Sequence, residues 1–254
     1  NLTMKSTLDF IKKRYVGANI VVAGAGVSHD TLEPLAMDCF GKLSGDKVET
    51  PQFPVYRGGA HSLEASEGST DETHVAVAFE GASDSSDEIY PAFLLEMLLG
   101  GGRSFSTGGP GKGMHSQLFN NVLCRNGNFE ACVAFNEAYR GTGLFGIYSA
   151  ASLAASDVLK VSLDELISVA KGIDRQAFER ARNRLKATAL MNLESRLVLF
   201  EDLARQSLST GTRKSPATVV KKIDSMTADE VSEFVRNALA KRPTILTFGP
   251  SESV

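Results

Sequence analysis

The chain opens in a helical rhythm. Leu8, Ile11 and Tyr15 recur on one stripe between Leu2 and Tyr15. Lys12, Lys13 and Arg14 gather near its end, where cations complement the helix dipole. The short apolar run Asn19–Ala23, rich in β-branched residues and stopped by Gly24, predicts a buried strand. Leu32, Leu35, Ala36 and Phe40 return to helical spacing and predict a helix over His29–Phe40. From Gly45 to Gly59 the period is lost, and Pro51 and Pro54 mark a linker.

A second rhythm begins beyond it. Val75, Val77 and Phe79 alternate with more polar neighbours, so Thr73–Gly81 predicts a half-buried strand. Ser86–Leu99 is an apolar helix with Ser86 as its N-cap, followed by a glycine-dense loop and a helix over Met114–Leu123. Asn128–Tyr139 and Leu144–Ala151 predict two strands joined at Arg140-Gly141-Thr142-Gly143, a hairpin signal. Four helices are expected after that, over Ser156–Lys171, Asp174–Leu208, Ser215–Ser225 and Thr227–Lys241. Pro243–Phe248 closes as a strand stopped by Gly249.

The end repeats the beginning. Met226–Lys241 followed by Thr244–Gly249 is helix, gap, apolar strand and glycine, as is Met4–Tyr15 followed by Asn19–Gly24. This succession predicts a duplication, with the first 45 residues as the tail of one repeat and Gly59–Val254 as a second. The chain starts Asn1-Leu2-Thr3, with no Met, arginine-rich presequence or apolar signal segment, and so reads as a mature or truncated piece.

Composition changes little in that picture. The 254 residues are 43% hydrophobic and 22% charged, which excludes disorder and makes a disulfide or metal staple unnecessary. A net charge of −3 argues against a dedicated nucleic-acid binder. The longest chargeless run, Gly141–Ser156, has 16 residues and falls short of the roughly 20 that span a bilayer. Cys39, Cys124 and Cys132 are odd in number and form no C-x-x-C, so they read as buried hydrophobes in a reducing compartment. Local charge is more telling. From Gly58 to Gly102 there are nine acids (Glu64, Glu67, Asp71, Glu72, Glu80, Asp84, Asp87, Glu88 and Glu96) and no Lys or Arg. Lys171–Lys222 holds twelve bases against five acids. These read either as solvated faces or as an acidic surface that attracts a basic ligand.

Three enzyme signatures come close and fail. His61-Ser62-Leu63-Glu64-Ala65 begins like a zinc-binding H-x-x-E-H, but Ala65 stands where the second ligand belongs, in a stretch that reads as extended. Gly24-Ala25-Gly26-Val27-Ser28-His29 begins like a dinucleotide fingerprint but has His29 for its third glycine. Gly111-Lys112 resembles the end of a P-loop, yet Ser106 replaces the first glycine and Gly113 the metal-binding hydroxyl. The four histidines, 29, 61, 74 and 115, share no ligand spacing, and Ser104 and Ser106 have no local base. No catalytic residue and no metal ligand is assigned to the chain.

The outstanding feature is the run Gly100-Gly101-Gly102-Arg103-Ser104-Phe105-Ser106-Thr107-Gly108-Gly109-Pro110-Gly111-Lys112-Gly113, half of it glycine. Ordering so many glycines is entropically expensive, which predicts a mobile loop able to admit varied substrates. Its backbone can pair with an extended peptide while Phe105 offers an apolar anchor.

Leu99–Met114 (LGGGRSFSTGGPGKGM) resembles the glycine-rich loop of the α-subunit family of mitochondrial processing peptidases, within the pitrilysin-like metallopeptidases. Gly17–Val27, His74–Gly81 (HVAVAFEG), Thr142–Tyr148 (TGLFGIY) and Leu193–Gln206 (LESRLVLFEDLARQ) agree in order, and the likeness covers essentially the whole chain as the C-terminal half of such a subunit. The resemblance implies an α+β fold: a pitrilysin-like repeat with a mostly antiparallel sheet packed against helices, preceded by the tail of a first repeat. Residues 1–45 would end the first repeat as helix, strand and helix, 46–58 would link, and 59–254 would form the second. It also implies a heterodimer in which a catalytic β partner supplies the zinc and the H-x-x-E-H residues, so that this chain needs no cofactor of its own. The substrates would be presequence peptides of imported precursors, met in the mitochondrial matrix. Carried over as the substrate loop are Gly100, Gly101, Gly102, Ser104, Phe105, Ser106, Gly108, Gly109, Gly111, Lys112 and Gly113. Arg103 departs from the family pattern, which usually continues with glycine, and a cation there opposes a basic peptide.

Three readings follow. One is a non-catalytic recognition subunit of a processing peptidase. Another is a core structural subunit of the ubiquinol–cytochrome c reductase, with cytochrome bc1 subunits as partners and association with the inner membrane; relatives serve there, and in some lineages one protein has both roles. The third, a stand-alone nucleotide-binding enzyme, is weakened by the failed phosphate motifs.

Overall fold

The computed structural model describes residues 2–43, 45, 53–66, 68, 70–103 and 114–250. It divides into two compact units: residues 1–53 with 189–216, and residues 54–188 with 217–254.

The first unit is helical. Helix α1 spans Met4–Arg14, and the Thr3 hydroxyl accepts from the Ser6 amide at 3.2 Å to cap it. Helix α2 spans His29–Phe40, capped by Ser28, and carries Pro34 within it. Helix α6 (Arg196–Thr210) belongs to the same unit. The strand expected over Asn19–Ala23 is absent. Gly17–Asn19 forms a 3₁₀ turn, and the residues after it find no ladder partner among the described residues. A strand exists only where its backbone groups can pair, and here Val21 and Val22 remain exposed.

The second unit is built on a six-stranded sheet. Its strands are β1 (Gly59–Glu64), β2 (Thr73–Gly81), β3 (Gly101–Arg103), β4 (Phe129–Ala138), β5 (Gly143–Ala151) and β6 (Thr244–Gly249). They lie in the order β1-β6-β2-β5-β4-β3. Every pairing is antiparallel except β1 with β6, so the mostly antiparallel α+β expectation is met. The hairpin of β4 and β5 runs in register from Ala138↔Gly143 back to a bulge between Phe129 and Ala131.

Alternation decides which face is covered. Val75, Val77, Phe79, Phe145 and Ile147 are buried on one face. Against it pack α3 (Ile89–Leu99), α4 (Ala155–Lys171) and α8 (Ala228–Leu239), the last bringing Phe234 edge-on to Phe145 at 6.2 Å. α3 is apolar almost all round, as a helix sunk in a core should be. α8 starts at a reciprocal cap: the Thr227 hydroxyl accepts from the Glu230 amide, and the Glu230 carboxylate accepts from the Thr227 amide. On the other face His74 lies 2.8 Å from the Tyr148 hydroxyl and beside the Phe248 ring. The remaining helices are α5 (Arg175–Asn192) and α7 (Pro216–Ser225).

Other expectations needed correction. The apolar helix starts at Ile89, not Ser86; the Ser86 hydroxyl instead accepts from the Glu88 amide within a turn. The single helix expected over Asp174–Leu208 is two, α5 and α6, because the chain turns at Leu193 and Glu194 and is extended at Ser195. Met114–Leu123 is helical from Gln117 on: Gln117 and Leu118 are α-helical and Phe119–Leu123 makes a π turn closed by the Cys124 amide on the Phe119 carbonyl at 2.9 Å. Of the cysteines only Cys132 is buried, and Cys39 and Cys124 are exposed.

Candidate functional site

The glycine-rich segment leaves the end of α3. The Gly100 amide donates to the Glu96 carbonyl at 2.8 Å, and the backbone then swings to φ +55° at Gly100 and +94° at Gly101. L side chains rarely take these angles. Space forbids one as well. A Cβ on Gly100 would stand 2.5 Å from that of Ser116, and one on Gly101 would overlap the Cys132 carbonyl oxygen.

These glycines bring the backbone flat against β4. Gly101, Gly102 and Arg103 pair with Val133, Cys132 and Ala131, and the Gly100 carbonyl accepts from the Ala134 amide at 2.9 Å. The expectation of a mobile loop therefore fails for its first residues, which form the edge strand β3. Among the carried-over loop residues the structure brings Gly100, Gly101 and Gly102 together at this edge. Ser104, Phe105, Ser106, Gly108, Gly109, Gly111, Lys112 and Gly113 lie outside the described residues.

On the far side of that stretch the chain is pinned again. The Ser116 hydroxyl accepts from the Gly101 amide at 3.0 Å. The Gln117 amide group donates to the Glu165 carboxylate at 2.7 Å, and the Asn121 amide group to the same oxygen at 3.0 Å. Sequence reasoning missed Ser116, Gln117, Asn121 and Glu165, which carry no local pattern that distinguishes them.

The electrostatics around the root are uneven. Burial, then the negative charge of Glu137, pushes the Glu96 carboxyl above the usual range, while Arg184 opposes the shift. Burial pushes the Cys132 thiol up to about 11 despite its contact with the Ser149 hydroxyl. Two of the nine acids are engaged internally, Glu80 with Lys241 and Asp87 with Lys222, each at 2.7 Å. Glu64, Asp71 and Glu72 form no ion pair with a described residue.

His61 and Glu64 sit three apart on strand β1 and so point to opposite faces, which cannot bind one ion together. Zinc ligation does not fit these residues, and among the described residues no group of three His, Cys, Asp or Glu side chains could hold a metal ion. The site offers backbone hydrogen-bonding groups on a tethered glycine-rich segment.

Residues 1–185 match the family described as the Peptidase M16 inactive domain. The chain belongs to the M16 peptidase family. The M16 chain is 36% identical to a probable mitochondrial-processing peptidase subunit alpha-2, chloroplastic/mitochondrial, of Arabidopsis thaliana, over 98% of its own length and 50% of the relative's. It is 34% identical to the probable α subunit of Schizosaccharomyces pombe over 100% of itself and 54% of the relative. The Solanum tuberosum α subunit is 37% identical over 95% and 48%. The resemblance read from the glycine-rich loop is thus met by relatives of that name, and the M16 chain spans about half their length. A chain in complex III2 from Candida albicans, with Inz-5 bound, superimposes with a TM-score of 0.82 at 21% identity, over 98% of the M16 chain and 59% of that one. That likeness establishes the fold.

Proposed function

We propose that the M16 chain is the C-terminal half of a non-catalytic, substrate-recognising subunit of a mitochondrial processing peptidase. It binds the presequences of imported precursors through the glycine-rich loop and guides them to a zinc-containing β partner for cleavage in the mitochondrial matrix. Identity of 34–37% with curated α subunits across nearly the whole chain carries this reading. Residues 1–45 are the tail of a first repeat, 46–58 a linker, and 59–254 the second repeat. The tethered root at Gly101 and Ser116 supports the role of the loop, because it delivers a glycine-rich segment from a fixed place in the fold. Glu64, Asp71 and Glu72, which have no ion pair among the described residues, suit a positively charged peptide.

A second reading is favoured by the shared fold with a chain of a respiratory complex: a core structural subunit of the ubiquinol–cytochrome c reductase. Purifying the full-length subunit from its native source separates the two. The first predicts a dimer with a partner carrying H-x-x-E-H and bound zinc. The second predicts a membrane complex containing haem. Independent peptidase activity in the chain alone would overturn its non-catalytic role.

A further inference from the structure

A pocket of about 610 Å³ opens beside the loop root, among the C-terminal end of α3, the residues that follow the loop, the end of α4 and the start of α5. Its volume falls in the range of sites for small molecules, about 300–1,000 Å³. Met97, Leu98 and Ile173 give it apolar lining, while His115, Asn120 and Ser168 add polar groups.

Its charge is set by α5. Phe178, Ala181 and Leu185 are buried, which anchors the helix, and Arg180 and Arg184, four apart, share the side that lines the pocket. Neither forms a hydrogen bond or ion pair with a described residue. Other bases of the same helix do: Arg182 pairs with Glu179 at 2.6 Å and Lys186 with Asp224 at 2.7 Å. The acids nearby are engaged. Asp174, which also lines the pocket, accepts from the Ala177 amide at 2.9 Å as a helix cap. Glu165 accepts from Gln117 and Asn121. Glu96 acts on Arg184 from outside the lining without an ion pair.

We propose that this pocket binds a small organic anion, its phosphate or carboxylate held by Arg180 and Arg184 and its apolar body set against Met97, Leu98 and Ile173. The proposal does not rest on presequence recognition or on a zinc partner. Two guanidinium groups with no ion pair among the described residues supply charge-assisted hydrogen bonds, and the apolar wall selects an anion with a body over a bare ion.

The test is calorimetric titration of the full-length subunit with phenyl phosphate, benzoate, inorganic phosphate and phenol. Phenyl phosphate or benzoate should bind saturably, and comparing the two tells phosphate from carboxylate. Inorganic phosphate and phenol should each bind at least about tenfold more weakly than the better of them. Arg180→Gln and Arg184→Gln should each weaken binding about tenfold; Arg180→Gln should leave the melting temperature unchanged, whereas Arg184→Gln should lower it slightly by removing the charge that opposes the shift of Glu96. Glu96→Gln should tighten it by freeing Arg184, and Lys222→Gln, remote from the pocket, should leave it unchanged. The proposal is overturned if neither organic anion binds saturably, if phenol binds as well as they do, or if the arginine variants keep wild-type affinity.

Discussion

The backbone amide of Gly101 donates to the hydroxyl of Ser116 at 3.0 Å, joining two residues fifteen apart in the sequence. One belongs to edge strand β3 and the other to the turn leading into Phe119–Leu123, so the glycine-rich segment departs from and returns to the same small area. Ser116 is buried, and the bond occupies an amide that β4 does not reach.

Breaking that bond tests how the root is held. Ser116→Ala should destabilise the second unit by about 1 kcal/mol, the cost of leaving the half-buried Gly101 amide unpaired. Gly101→Ala should cost more, because strain at positive φ, about 1–3 kcal/mol, adds to overlap with the Cys132 carbonyl. Urea denaturation measures both, and hydrogen exchange at Gly101 should accelerate in Ser116→Ala.

How much of this was legible in the sequence depends on whether a signal was local. The periods of α2, β2 and α8 are written in their own residues, and these elements stand where the pattern places them. Asn19–Ala23 has the composition of a strand, but pairing needs a neighbour and the described residues offer none. Leu193-Glu194-Ser195 breaks a helix without Gly or Pro, so the helical period of the sequence continues unbroken across it. Gly101-Gly102-Arg103 has no alternation at all; docking on β4 makes it a strand. The clamp at Ser116 is likewise tertiary, as is the pairing of Gln117 and Asn121 with Glu165. The family resemblance lay in the loop letters themselves, but the anchoring of the loop did not.

The Cys132 thiol provides a reactivity test. With its pKa at about 11, it stays protonated and buried at pH 8, whereas Cys39 and Cys124 are exposed. Iodoacetamide should label those two in the native chain and all three in urea, as mass spectrometry of the peptides will read. The raised value also favours the folded state fully below about pH 9. That contribution should be lost as pH rises through about 11, and Cys132→Ala should remove this part of the alkaline decline.

Glu96 makes a prediction at the acid side. Its pKa is raised by burial and by Glu137, so ionisation penalises the folded state once pH passes the ordinary carboxylate range. Glu96→Gln should therefore raise the melting temperature at pH 7. The gain should shrink towards zero below about pH 4, where both side chains are neutral.

The central claim is that the glycine-rich loop recognises presequences, and the structure shows where to cut to test it. Removing residues 104–113 from the full-length subunit leaves the residues of β3 and both partners of the Gly101–Ser116 bond in the chain. The shortened subunit is then assembled with the zinc-bearing β partner that the proposed function assigns to it, and the rate of precursor cleavage is measured beside the intact dimer. Cleavage should fall by at least about tenfold while the heterodimer still forms in full. Cleavage at the undiminished rate by a fully assembled dimer would contradict the account.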